Sequence, residues 1–67
     1  MLNILLNGEP RELHAGITLI NLLEAAGFAG CKVAVEINRE IVPKSLQGER
    51  LLNDGDRVEV VHAMGGG

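Results

Sequence analysis

At 67 residues the chain holds one small domain, near the lower limit of what folds without a metal or disulfides. A composition that is 46% hydrophobic, with Phe28 as its single aromatic residue, calls for a compact core of Leu, Ile, Val and Ala. The net charge is -3 and the six Lys and Arg are spread one at a time, which argues against nucleic acid or an anionic membrane as partner.

One cysteine, Cys31, cannot close an internal disulfide, and no basic stretch followed by an apolar one opens the sequence. The apolar runs fall far short of the roughly 20 residues that span a bilayer. The expected compartment is the cytosol.

Residues 2–7 alternate, with Leu2, Ile4 and Leu6 on one side and Asn3, Leu5 and Asn7 on the other, which predicts a strand with one core face. Gly8-Glu9-Pro10 is a turn signal, and residues 11–15 return as a short second strand with Pro10 at its edge. Thr18 is placed to cap a helix, because its hydroxyl can accept from an unpaired amide of the first turn. The helix is predicted over residues 19–26. Leu19, Leu22, Leu23 and Ala26 form its apolar stripe, and Gly27 stops it.

Residues 32–38 alternate most cleanly, with Val33, Val35 and Ile37 on one face. A polar turn at Asn38-Arg39-Glu40 leads into a short extended segment, Ile41-Val42-Pro43, that proline ends or leaves on an edge. Residues 44–50 read as polar and irregular. Asn53-Asp54-Gly55-Asp56 is a strong turn in which Gly55 can take positive φ. A final strand over residues 57–63 has Val58 and Val60 as core residues.

The order β-β-α-β-(short β)-β leaves one helix to cover one face of a mixed sheet, and this pattern predicts an α+β, β-grasp (ubiquitin-like) domain over residues 1–64. Gly65, Gly66 and Gly67 follow it as a slender tail that carries a carboxylate away from the last strand.

The segment Val33-Ala34-Val35-Glu36-Ile37-Asn38-Arg39-Glu40-Ile41-Val42-Pro43-Lys44-Ser45 resembles the ThiS family of sulfur carriers in thiamine (thiazole) biosynthesis. So do Asp54-Gly55-Asp56-Arg57-Val58-Glu59-Val60-Val61-His62, the opening Leu6-Asn7-Gly8-Glu9 and the terminal glycines, so the resemblance covers essentially the whole chain. The family's Gly-Gly is supplied by Gly66-Gly67, with Gly65 an added residue of the arm.

The resemblance implies a carrier and not an enzyme. The Gly67 carboxylate is expected to be adenylated with ATP and Mg²⁺ by a ThiF-type adenylyltransferase, converted to a thiocarboxylate with sulfur from a cysteine desulfurase, and used by a ThiG-type thiazole synthase. The chain itself is expected to bind no cofactor and no metal, and to be a monomer when isolated. The chemistry accounts for the order of steps: a carboxylate is a poor acyl donor, and a mixed anhydride with AMP supplies the leaving group. Glycines keep the arm thin enough to enter another protein's nucleotide site.

Other readings of the residues stay open. A small molybdopterin-synthase-type carrier or a ubiquitin-like modifier also ends in Gly-Gly, and a β-grasp interaction module would carry the glycines passively. Cys31 reads as a small loop or strand-entry residue, since the cycle puts sulfur on the terminal carbonyl. His14 and His62 lack metal-ligand neighbours at useful spacing. No set of catalytic side chains is visible, and Glu36 and Glu59 read as a solvated sheet face. Leu5 and Val61 fall on the otherwise polar faces of their strands. With the first and last strands as neighbours they would be adjacent, forming with Met64 a small apolar patch for docking a partner.

Overall fold

A computed structural model describes residues 1–62. In chain order these form β1 (Leu2–Leu6), β2 (Glu9–Leu13), α1 (Leu19–Ala25), β3 (Val33–Ile37), β4 (Glu40–Ile41), a short 3-10 turn (Lys44–Leu46) and β5 (Arg57–His62). The sheet runs β2-β1-β5-β3-β4, with β1 and β5 parallel at its centre and the other pairs antiparallel. This is the β-grasp arrangement.

The alternation in the sequence fixes what each strand buries. Ile4 and Leu6 of β1, Val35 and Ile37 of β3, and Val58 and Val60 of β5 meet Leu19, Leu22 and Leu23 of α1 in one aliphatic core, which Leu52 completes. Phe28 packs at its margin.

The helix begins and ends as its residues dictate. The Thr18 hydroxyl accepts from the Asn21 amide at 3.3 Å, and the Asn21 side chain accepts from the Thr18 amide, a reciprocal cap in which Asn takes the usual place of Glu or Gln. Two further amides of the first turn, Leu19 and Ile20, donate to the carbonyls of Arg50 and Gln47 at 2.8 and 3.0 Å. At the other end Gly27 has φ +90°, Gly27 N–H donates to the Glu24 carbonyl, and Phe28 N–H donates to that of Leu23. This double closure turns the chain sharply and delivers Phe28 back onto the core.

Three predicted elements shift. The hairpin turn is Asn7-Gly8, with φ of +51° and +84°, so Glu9 and Pro10 already belong to β2, which starts two residues earlier than predicted. Asn-Gly satisfies a two-residue turn with both residues left-handed, whereas Pro10 needs only an edge strand, which β2 is. The β4 strand likewise starts at Glu40, because Asn38-Arg39 alone make the turn. Residues 44–50 hold the 3-10 turn and bury Gln47, where the sequence suggests irregular, exposed chain.

Candidate functional site

The face of the sheet away from α1 and the far end of β5 are the places from which a C-terminal segment could act. Met64, Gly65, Gly66 and Gly67 lie outside the described residues, as does the predicted domain boundary after residue 64. The strand that precedes them, β5, is held on a platform of neighbouring elements.

Three sets of contacts build that platform. At the start of β5, the Asn53-Asp54-Gly55-Asp56 turn is bonded to two other elements. Gly55 N–H donates to the Asn3 carbonyl at 2.7 Å, Asp54 Oδ1 accepts from the Asn3 amide at 2.7 Å, and Leu5 N–H donates to the Asp56 carbonyl at 3.0 Å. The buried Asp56 carboxylate accepts from the Asn53 amide at 2.9 Å and from Asn38 Nδ2 at 3.0 Å. Asn38 Oδ1 in turn accepts from the Arg57 amide at 3.0 Å. Asp-Gly-Asp therefore acts as a clasp joining β1, β3 and β5.

Along its length β5 is paired with β3 from Val58, opposite Ile37, to His62, opposite Val33. On its other side the ladder to β1 is short, with Leu5 beside Arg57 and Leu6 beside Val58. It gains one more rung from a side chain, since Asn7 Oδ1 accepts from the Val60 amide at 2.7 Å. At the end of β5 the His62 ring lies 6.0 Å from that of Phe28, centre to centre, at a tilt of 57°.

This register corrects one expectation about the docking residues. Leu5 and Val61 do share the outer face, yet the parallel pairing puts Arg57 beside Leu5, four residues before Val61, a separation of about 13 Å at strand rise. Val61 lies instead beside Ala34 of β3 and is 62% exposed, while Leu5 is half-buried between Pro10 and Arg57. The two are not one patch. Neighbouring strands do not make neighbouring residues when the strands are offset, and offset is the property that hydrophobic patterning leaves free.

The remaining candidates are dispersed. Cys31 is an exposed free thiol in the loop that leads to β3, its amide bonded to the Phe28 carbonyl. His14 is exposed just past β2, distant in the fold from His62. No group of three or more His, Cys, Asp or Glu able to hold a metal ion occurs among the described residues. Nor is any of their helices long and apolar enough to cross a membrane. Sequence reasoning missed the role of Asn7, although Asn-Gly between two alternating runs is the strongest short hairpin signal and marks the residue whose side chain is freed at the turn.

A model of the ThiS family matches residues 4–67, which takes in both the clasp and the glycines. The chain belongs to the ThiS family. It is 48% identical over 62 residues to the sulfur carrier protein ThiS of Thermus thermophilus, covering 92% of this chain and 95% of that protein. It is also 48% identical over 66 residues to a thiazole synthase of Magnetococcus marinus, covering 98% of this chain. The chain spans about a fifth of the length of that enzyme (20%). Among solved structures, the crystal structure of the thiamine biosynthesis protein (ThiS) from Geobacter metallireducens superposes with a TM-score of 0.82 at 32% identity, over 98% of this chain and 100% of that one. The β-grasp topology of this ThiS family member thus agrees with that of the Geobacter protein.

Proposed function

We propose that this chain is a sulfur carrier for the thiazole moiety of thiamine and that the Gly67 carboxylate is the group that carries the sulfur. The observation that supports this most directly is the extent of the family match, which runs through Gly66-Gly67, together with likeness to proteins called sulfur carrier protein ThiS over nearly their whole length.

In the proposed cycle a carboxylate oxygen of Gly67 attacks the α-phosphate of ATP, and pyrophosphate leaves. The ATP and its Mg²⁺ are held by a ThiF-type adenylyltransferase and not by this chain. A persulfide sulfur, ultimately from a cysteine desulfurase, attacks the acyl carbon and expels AMP. A second thiol then cleaves the sulfur–sulfur bond and leaves the thiocarboxylate, which gives up its sulfur to a thiazole synthase. The likeness to one stretch of a thiazole synthase polypeptide supports that last partner, because fusion keeps a donor next to its acceptor.

Under this reading the folded domain supplies recognition and the partners supply catalysis. Docking falls first to Val61, exposed on the outer face and close in sequence to the reacting terminus, with Met64 beyond it and Leu5 as a separate contact. The protein acts in the cytosol as a monomer that meets its enzymes in turn.

Intact-mass spectrometry after incubation with ATP, Mg²⁺, a sulfur source and a ThiF-type enzyme tests the proposal. The expected product is heavier by the difference between sulfur and oxygen, and a variant lacking Gly67 stays unchanged. Absence of the thiocarboxylate under conditions that load an authentic carrier overturns the reading, and stable isopeptide conjugates to other proteins would replace it with a modifier.

A further inference from the structure

A reaction on Gly67, five residues beyond His62, depends on how firmly the end of β5 is held. In a regular parallel ladder the Val60 amide would donate to the main-chain carbonyl of the residue that follows Leu6 on β1. That residue is Asn7, and its φ of +51° turns its backbone away into the hairpin. Its amide still donates to the Val58 carbonyl at 2.8 Å, but for Val60 the side-chain Oδ1 takes the place of the lost carbonyl, at 2.7 Å.

We propose that Asn7 is a positioning residue for the modification of Gly67: its side-chain oxygen clamps the Val60 amide and holds the end of β5, Val60 to His62, in the sheet. Phe28, its ring tilted against that of His62, is the second hold on the same end. Without the clamp, the last residues of β5 keep pairing on the β3 side alone and fray more readily. Each frayed residue has to be ordered again before the carboxylate can sit in a partner's site, which lowers the productive fraction by about tenfold per residue. Val61, the first docking residue, belongs to the same end of β5, so fraying weakens docking as well as delivery of the terminus. The inference rests on the sulfur-carrier reading.

Two substitutions separate the clamp from the turn. Asn7→Gly keeps the left-handed turn and removes the acceptor, whereas Asn7→Asp keeps an acceptor oxygen on a residue that tolerates positive φ. ATP–pyrophosphate exchange by a ThiF-type enzyme is measured with each carrier, alongside amide hydrogen exchange at Val60, Val61 and His62 in the isolated proteins. For N7G the expected result is a kcat/KM lower by about tenfold, with faster exchange confined to the end of β5, and N7D restoring both. Wild-type kcat/KM in N7G, or a loss that tracks a lowered melting temperature and spreads over the whole domain, overturns the proposal. If the wild-type chain supports no exchange reaction, the functional reading falls and this inference with it; an active wild type with an unaffected N7G sinks the inference alone.

Discussion

Glu36 and Glu59 stand directly opposite each other across β3 and β5, on the face of the sheet that α1 leaves uncovered. Like charges in that relation destabilise a sheet, and opposite charges stabilise it by roughly 0.2–1 kcal/mol. The substitution Glu59→Lys is therefore expected to raise the melting temperature by a few degrees, and the gain should shrink in ~1 M salt, where the screening length is about 3 Å. Thermal melts of both proteins at two salt concentrations check this; an equal gain at both would assign the effect to packing.

The Asn38-Arg39 turn places two non-glycine residues at positive φ, +52° and +70°, but only the first is repaid by side-chain bonds. Left-handed geometry costs an ordinary residue about 1–2 kcal/mol, and glycine's extra freedom in the unfolded chain returns part of that. Arg39→Gly should stabilise by about 0.5–1 kcal/mol. Asn38→Gly fits the same backbone yet should destabilise by about 1–2 kcal/mol, because the bonds to Asp56 and Arg57 are lost. Opposite signs in urea denaturation are the diagnostic result.

Asp56 is 5% exposed and holds two donors, the Asn53 amide and Asn38 Nδ2. Its replacement by alanine leaves both without their acceptor in a part-buried setting, a loss of about 1–3 kcal/mol. Asp54 accepts one bond in an exposed position, where water can substitute, so Asp54→Ala should cost well under half as much. Denaturation midpoints should fall in that order while the slope m stays constant.

Leu22 is completely enclosed between α1 and the sheet, while Ile20, two residues earlier on the same helix, is 38% exposed. Leu22→Ala is expected to cost about 2–5 kcal/mol, comparable with the entire stability of a domain this small. Circular dichroism should show a largely unfolded chain near 37 °C. Ile20→Ala should remain folded, with a much smaller loss.

Much of the fold is legible residue by residue because its determinants are local. Thr18 and Gly27 mark the ends of α1, and the alternation of Val33, Val35 and Ile37 specifies which face of β3 is buried. The parts that escape reading are relations between distant segments. Nothing in residues 2–6 states that β1 meets β5 at Arg57 and Val58 and not two residues later, and that offset separates Leu5 from Val61. Likewise Gln47 belongs to a polar run, and its burial follows from the carbonyls of that run being needed at the start of α1. The terminal glycines were readable as a motif from the sequence, whereas the residue that secures the strand before them, Asn7, is visible only once the ladder is drawn.

The bonds from Leu19 and Ile20 to the carbonyls of Arg50 and Gln47 carry a consequence for how the chain reaches this state. A helix of seven residues is too short to persist in water alone, and here part of its first turn is completed by a stretch some thirty residues later. The helix thus cannot serve as an early seed that the strands gather around; it should consolidate only after residues 47–50 have arrived, and a nascent chain ending before them should emerge from the ribosome with α1 unmade.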